Sequence, residues 1–205
     1  MKKCVIFCAG EFDGLAAPLE GMVIAADGGL RHTQALGIEA DVILGDFDSL
    51  GYTPEGAAVF PVEKDDTDAM LAVRRGLAMG CDSFVIYGGL DGPRLDHTIA
   101  MFQTLQYLAD QGATGCAVGN SCVATVVKNG EIAFPENAEG IISVFCMGTD
   151  AEGVTIKGLK YGLENGKLTA GFPLGVSNHF IGKKAEISVE NGSLLIIYPK
   201  EVGIL

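Results

Sequence analysis

Two patterns of apolar residues divide this 205-residue chain near position 121. Before that point, glycine-terminated apolar runs such as CVIFCAG (4–10) alternate with stretches of helical periodicity such as DAMLAVRRGLAMG (68–80). A continuous apolar run is typical of a strand buried on both faces, and its alternation with helices predicts a mostly parallel sheet covered by helices. Residues 1–121 are therefore predicted to form an α/β domain.

Short β-rich runs separated by turn residues occupy 122–205. Asn-Gly pairs at 129–130, 165–166 and 191–192 are typical of tight β-hairpins, and 185–198 has the near alternation of such a hairpin. Since no long linker precedes this segment, we expect it to be a second, all-β domain folded as a sandwich. In the first domain, the last helix is predicted to bury a stripe of Ile99, Phe102, Leu105 and Leu108.

Charge and composition exclude several classes of protein. The net charge of −12 disfavours a nucleic-acid partner, because binding a phosphate backbone requires basic patches. No stretch approaches the roughly 20 apolar residues of a membrane span, and the run after Lys2 and Lys3 is too short for a secretory signal. The six cysteines show no metal-binding spacing. We therefore expect a cytoplasmic protein with reduced thiols.

Aspartates cluster in short motifs of the first domain, each after an apolar run or a short linker. Several carboxylates that converge on one edge of a sheet repel one another unless a cation lies between them. Such hard oxygen ligands suit Mg²⁺, usually together with the phosphates of a substrate. The candidates are Asp27 in AADGGL, Asp46 and Asp48 in GDFDSL, Asp65 and Asp68 in EKDDTD, and Asp96 in RLDH.

Some of these motifs also have purely structural interpretations. Asp46 or Asp48 would fit an Asx-turn at a strand end, and Asp65 or Thr67 would fit the cap of the next helix. Four acids among residues 63–68 exceed what capping needs, which favours a metal or phosphate site.

A glycine-rich segment, GGLDGPRLDH (88–97), lies between a predicted strand and a predicted helix. Glycines allow backbone N–H groups to approach an anion closely, and Arg94 can fork onto phosphate oxygens. Asp96 at the helix start is either a cap or a metal ligand. The spacing does not match a P-loop or a dinucleotide-binding fingerprint.

In their order and spacing, the motifs ADGG, GDFDS, EKDxTD, GGxxGxRxDH, GLKY and GVSN closely resemble those of the bacterial thiamine pyrophosphokinase family, from Ala26 to about Phe180. The resemblance implies an α/β catalytic domain that binds ATP and Mg²⁺ (1–121) and a β-sandwich that binds thiamine (122–205). It also implies a homodimer with active sites at the subunit interface. The implied reaction transfers the pyrophosphoryl group of ATP to the hydroxyl of thiamine, giving thiamine diphosphate and AMP.

The resemblance implies a role for each motif residue. The implied Mg²⁺ ligands are Asp46, Asp48 and Asp68, and these with Asp96 form the implied catalytic set. The implied contacts to ATP and its phosphates are Asp27, Gly28, Asp65 and Arg94. The implied thiamine contacts, from the partner subunit, are Ser177 and Asn178. Either Asp68 or Asp96 would accept the thiamine hydroxyl proton, and the sequence does not choose between them.

The sequence departs from the usual family pattern at Pro93, Met101 and Gly162, where Gly, Asn and Pro are commoner. Met101 would alter a polar contact beside the site. The chain has no Trp, so stacking on thiamine must fall to a Phe or a Tyr.

Two other functions compete with this interpretation. GDFDSL is similar to the DxD loops of Mg²⁺-dependent phosphohydrolases, but an aspartyl-phosphate enzyme would carry that motif after its first strand. A non-catalytic thiamine or nucleotide sensor would not need every acidic position.

Overall fold

The computed structural model describes residues 1–47, 50–60 and 66–204, and the chain divides into two compact units, Met1–Asn120 and Ser121–Leu205. In the described part of the first unit, parallel strands follow the order β6-β5-β1-β2-β3-β4. Their bounds are β1 (Lys3–Phe7), β2 (Met22–Ala26), β3 (Val42–Gly45), β4 (Ala58–Val59), β5 (Ser83–Tyr87) and β6 (Thr114–Val118). The helices are α1 (Leu30–Ala35), α2 (Asp68–Ala78) and α3 (Leu95–Asp110).

The centre of the parallel sheet is fully apolar. Ile6 pairs with Ile24 on one side and with Ile86 on the other, and all three side chains are inaccessible to solvent. Strands buried in this way need apolar residues on both faces, which explains the continuous runs in the sequence. The mixed α/β architecture with parallel strands confirms the fold class predicted for this part of the chain.

The buried stripe of α3 differs from the predicted one. Met101, Thr104, Leu105 and Leu108 are buried, whereas Ile99 is 52% exposed. The buried set keeps the i, i+3, i+4, i+7 spacing of a helix face, but it is rotated from the predicted stripe, so that the polar Thr104 faces inward. Thr104 satisfies its hydroxyl by donating to the carbonyl of Ala100 at 2.9 Å.

The second unit contains antiparallel strands in two groups, β12-β9-β14-β7 and β11-β10-β13-β8. The bounds are β7 (Cys122–Lys128), β8 (Glu131–Phe134), β9 (Ile141–Cys146), β10 (Ala151–Lys157), β11 (Leu163–Leu168), β12 (Gly175–His179), β13 (Ala185–Ser188) and β14 (Ser193–Pro199). The aromatic rings of Phe134 and Tyr198, one from each group, meet edge to face with centroids 5.1 Å apart. The predicted all-β character of this segment is confirmed.

The Asn-Gly hairpin prediction is wrong. Strands β7 and β8 flank Asn129 but belong to different groups, and so do β13 and β14 on either side of Asn191. The two corners bond to each other instead, because Asn129 Oδ1 accepts the N–H of Gly192 at 2.9 Å. Asn165 has a φ of 46° inside β11, where the register with β10 shifts. The Asn-Gly pairs thus supply left-handed corners and a bulge, while distant strands provide the pairing.

Among the described residues, no helix is both long enough and apolar enough to cross a bilayer.

Gly29 lies close against the backbone of a neighbouring strand in the first unit. It follows β2, and a Cβ built there would lie 1.9 Å from the carbonyl oxygen of Phe7 in β1. We expect Gly29→Ala to lower the free energy of unfolding by about 3 kcal/mol, since overpacking against backbone forces strands to shift. The measurement is urea denaturation, with Gly171→Ala as control because a Cβ there meets no atom within 4 Å. Equal stability of the two variants would contradict the packing argument.

Candidate functional site

Three carboxylates meet where β2 and β3 end and α2 begins. Asp27 follows β2 directly, Asp46 follows β3, and Asp68 is the first residue of α2. One oxygen atom of each lies within 4.8 Å of the others. Asp27 is buried, and Asp46 and Asp68 are half-buried. We call these three residues the acidic cluster.

The local backbone brings the cluster together. Gly45, the last residue of β3, has a φ of 150°, and its Cβ position lies only 3.0 Å from Asp27, so any side chain there would push the two segments apart. Thr67 caps α2 by accepting the N–H of Met70 at 3.2 Å, as one of the predicted caps. The cap starts the helix at Asp68, whose charge is favoured there by the helix dipole.

The donor set of the cluster fits a hard divalent cation. Three like charges at this separation repel one another, and a cation between them would relieve the repulsion. All three groups offer carboxylate oxygens, the ligands that Mg²⁺ prefers alongside substrate phosphates. Asp27, a predicted ATP contact, lies beside the predicted Mg²⁺ ligands Asp46 and Asp68.

A cavity of about 700 Å³ opens beside the cluster. This volume falls within the range that accommodates nucleotide-sized ligands. Its lining includes the acidic cluster, the glycine-rich loop after β5 and the inner face of α3, with His97, Met101 and Thr104. The three acidic residues therefore lie at the wall of a space large enough for a ligand.

The glycine-rich loop, residues 88–94, ends in an exposed ion pair. Arg94 lines the cavity and forks onto Asp96, with Nε 3.2 Å from Oδ1 and a terminal guanidinium nitrogen 2.5 Å from Oδ2. The hydrogen bond from Arg94 lowers the pKa of Asp96 below its usual value, and the same pair raises the pKa of Arg94. Asp96 is not one of the three described carboxylates that form the acidic cluster.

The remaining predicted residues of the first unit have varied placements. Gly28 is buried in the turn after Asp27. Asp48 and Asp65 lie outside the described residues, so their roles stay predictions.

Asn178 and Ser177, in the second unit, have different surroundings. Asn178 is 4% exposed, and its amide oxygen accepts the N–H groups of Tyr161 and His179, both at 2.9 Å. Its amide nitrogen donates to the carbonyl of Tyr161 at 2.7 Å. Ser177 is exposed with a left-handed φ of 58°, and its N–H donates to Ser143 Oγ. Asn178 therefore fixes the backbone of Tyr161 on both sides.

Sequence reasoning included Tyr161 only as the last residue of the GLKY motif, with no role of its own, and did not select Cys8 for the site. Tyr161 is 59% exposed although its backbone is clamped, which only the fold reveals. Cys8 follows β1 and lines the cavity. Burial, followed by the nearby charge of Asp68, raises the pKa of the Cys8 thiol to about 12. Cys8 is thus a neutral thiol at physiological pH and no nucleophile.

Comparisons with known proteins cover both units. A family model described as "Thiamin pyrophosphokinase, catalytic domain" matches residues 19–116, and one described as "Thiamin pyrophosphokinase, vitamin B1 binding domain" matches residues 130–194. The thiamine pyrophosphokinase of Bacillus subtilis (strain 168) is 29% identical over 188 residues, which covers 87% of this chain and 83% of that protein.

Solved structures show the same similarity. The crystal structure of thiamine pyrophosphokinase from Bacillus subtilis has a TM-score of 0.84 at 25% identity, covering 97% of this chain and 99% of the other. Thiamin pyrophosphokinase from Candida albicans has a TM-score of 0.76 at 15% identity, covering 97% and 89%. At that identity the second likeness shows the fold alone.

Cys8 provides a test of the electrostatics of the site. We expect it to stay unmodified by iodoacetamide at pH 8 in the folded protein, because only the thiolate reacts and the pKa is about 12. The measurement is mass spectrometry of the peptide that contains Cys8. The control is the same reaction in urea, where the thiol regains its ordinary pKa and is alkylated. Rapid alkylation in the folded protein would show that Cys8 is not buried as the structure places it.

Proposed function

We propose that Mg²⁺ at the acidic cluster supports the reaction of this chain, which belongs to the thiamin pyrophosphokinase family. Proteins of this family transfer the pyrophosphoryl group of ATP to the hydroxyl of thiamine, and this chain catalyses the same reaction. The observation that carries the proposal is the convergence of Asp27, Asp46 and Asp68 on one cavity. Asp48 is proposed as a further Mg²⁺ ligand because of its position in the GDFDSL motif. When bound, Mg²⁺ would neutralise charge on the phosphoryl oxygens of ATP.

The phosphates of ATP are proposed to lie against the glycine-rich loop. Gly88, Gly89 and Gly92 line the cavity without side chains, so backbone N–H groups are accessible to an anion. Arg94 lies at the end of the same wall and offers a guanidinium for bidentate contact. Gly28 and Asp65 are kept as proposed contacts to ATP.

Asp68 is proposed as the acceptor of the thiamine hydroxyl proton. Arg94 already donates hydrogen bonds to both carboxylate oxygens of Asp96, which leaves Asp96 less available to accept a proton. Asp68 lines the cavity and belongs to the acidic cluster, so a proton released there would meet negative charge. Asp96 is then proposed to orient Arg94 towards the phosphates.

Thiamine is proposed to stack on Tyr161. The ring is exposed, and the ammonium of Lys160 already lies 5.3 Å from its centroid, which shows that the ring face can accept a cation. Thiamine contains a positively charged thiazolium ring. Asn178 would then act by holding Tyr161 in place, and Ser177 would contact the aminopyrimidine from an exposed position.

A homodimer is proposed in which the second unit of one subunit completes the site of its partner. The proposal is supported by several exposed apolar side chains on this unit. A single exposed apolar side chain is ordinary, but several on one unit indicate an interface. The exposed residues are Ile141, Phe172, Leu174, Val176 and Ile181. We also propose that the two groups of strands pack as a sandwich, as the Phe134–Tyr198 contact supports. Buried thiols at Cys4 and Cys116 support a reducing, cytoplasmic setting.

The function is tested by incubating the protein with ATP, thiamine and Mg²⁺ and identifying the products. We expect AMP and thiamine diphosphate in equal amounts. ADP with inorganic phosphate would instead indicate a phosphohydrolase, and binding without turnover would indicate a sensor.

Asp46→Asn tests the acidic cluster. We expect turnover to fall by at least about 100-fold, because charge stabilisation held by metal ligands is commonly a leading catalytic contribution. Asp48→Asn is expected to act in the same way. The control is Asp82→Asn, which removes a carboxylate that accepts the N–H of Lys2. Thermal melting checks folding, and near-normal turnover in folded Asp46→Asn would remove that residue from the metal site.

Asn178→Ala and Tyr161→Ala test the thiamine site. Each is expected to raise the KM for thiamine much more than the KM for ATP, since the first unclamps the ring and the second removes it. Tyr161→Phe should retain the low KM, because stacking needs the ring and not the hydroxyl.

Subunit mixing tests the shared site. Asn178→Ala mixed with inactive Asp46→Asn should regain activity, since one of the two sites in a mixed dimer would combine an intact acidic cluster with an intact Asn178. Absence of rescue despite measured subunit exchange would contradict the shared site.

A further inference from the structure

The conformation of the glycine-rich loop depends on a residue that does not face the cavity. Leu90 and Gly92 line the cavity, while the carboxylate of Asp91 between them accepts the backbone N–H of Asn120 at 2.5 Å. Asp91 has a φ of 51°, so the chain turns sharply at this residue. Its side chain therefore ties the middle of the loop to the segment that follows β6.

The space around this carboxylate is closely fitted. A Cβ at Gly119 would lie 2.2 Å from Asp91 Oδ2 and 3.3 Å from the Cβ of Leu90. The chain after β6 therefore packs closely against the loop at a residue that has no side chain. A side chain at residue 119 would displace the Asp91 carboxylate from its bond to Asn120.

The same anchor reaches a second wall of the cavity. The side-chain amide of Asn120 donates to Glu11 at 3.2 Å, in the segment that follows β1. In that segment, Gly10 lines the cavity and donates its N–H to the carbonyl of Gly88 at 3.0 Å. The glycine-rich loop and the segment after β1 are thus joined at two points. Gly10 bonds directly to Gly88, and Asn120 links Glu11 to Asp91.

We propose that Asp91 is a positioning residue that holds the glycine-rich loop in the shape that receives the triphosphate of ATP, an inference that rests on the proposed function. The loop carries little side-chain packing of its own, because three of its seven residues, 88–94, are glycines. Without an anchor, such a segment would populate many backbone conformations. The carboxylate accepts the N–H of Asn120 and lies against Gly119, and Asp91 is not among the residues that line the cavity.

Asp91→Ala tests the anchor through the two Michaelis constants. If the competent loop conformation falls to about one tenth of the population, the KM for ATP rises about tenfold, and the KM for thiamine stays within about twofold. Asp91→Asn should restore the wild-type KM for ATP, since its amide oxygen accepts the same N–H and Asn tolerates a left-handed backbone.

The matched control is Asp41→Ala. Asp41 also accepts a backbone N–H, that of Val23 at 2.8 Å, but it precedes β3, at the opposite end of the strand from Asp46. It should lower the melting temperature as Asp91→Ala does while leaving the KM for ATP unchanged. If Asp91→Ala does not fold, Gly119→Ala displaces the carboxylate with Asp91 intact and should raise the KM for ATP in the same way.

The outcomes separate this inference from the proposed function. Wild-type protein that makes no thiamine diphosphate overturns the proposed function. An active wild type in which Asp91→Ala or Gly119→Ala leaves the KM for ATP unchanged, or raises both Michaelis constants equally, overturns the positioning role. A selective rise in the KM for ATP that Asp91→Asn reverses supports it.

Discussion

Repulsion among the three carboxylates of the acidic cluster is the constraint on which the rest of the first unit depends. With oxygen atoms within 4.8 Å of one another, Asp27, Asp46 and Asp68 would separate if their backbones were free to move. They remain together because each is attached to a rigid element: the end of β2, the end of β3 and the start of α2. The lack of a side chain at Gly29 and at Gly45 lets those elements approach Phe7 and Asp27 closely.

The parallel sheet explains why such a site can form from distant segments. All its strands end at one edge, so residues that follow different strands meet there without any loop having to be long. The apolar pairing of Ile6 with its neighbours supplies the stability that offsets the repulsion. The loops that follow the strands carry the function, and they need their own anchors because the sheet does not hold them.

Local patterns in the sequence predicted what depends on local physics. Continuous apolar runs predicted the buried parallel strands, and the Thr67 cap predicted the start of α2. Asn129 and Asn191 failed as hairpin signals because Asn-Gly specifies a left-handed turn but not which strands pair, and pairing is decided by side chains far along the chain. Ile99 failed for a similar reason, since the face that α3 buries depends on the sheet beneath it.

In the candidate site, the type of a residue likewise does not determine its role. Asn178 and Asp91 both belong to motifs of the resemblance, but their hydrogen bonds go to the backbone of Tyr161 and of Asn120. A polar side chain that is buried must satisfy its own hydrogen bonds, and doing so commits it to the protein rather than to a ligand. Asp27 and Asp68 line the cavity. The residue types of a motif therefore do not reveal which members hold the backbone and which lie at a cavity wall, and the fold is needed to separate them.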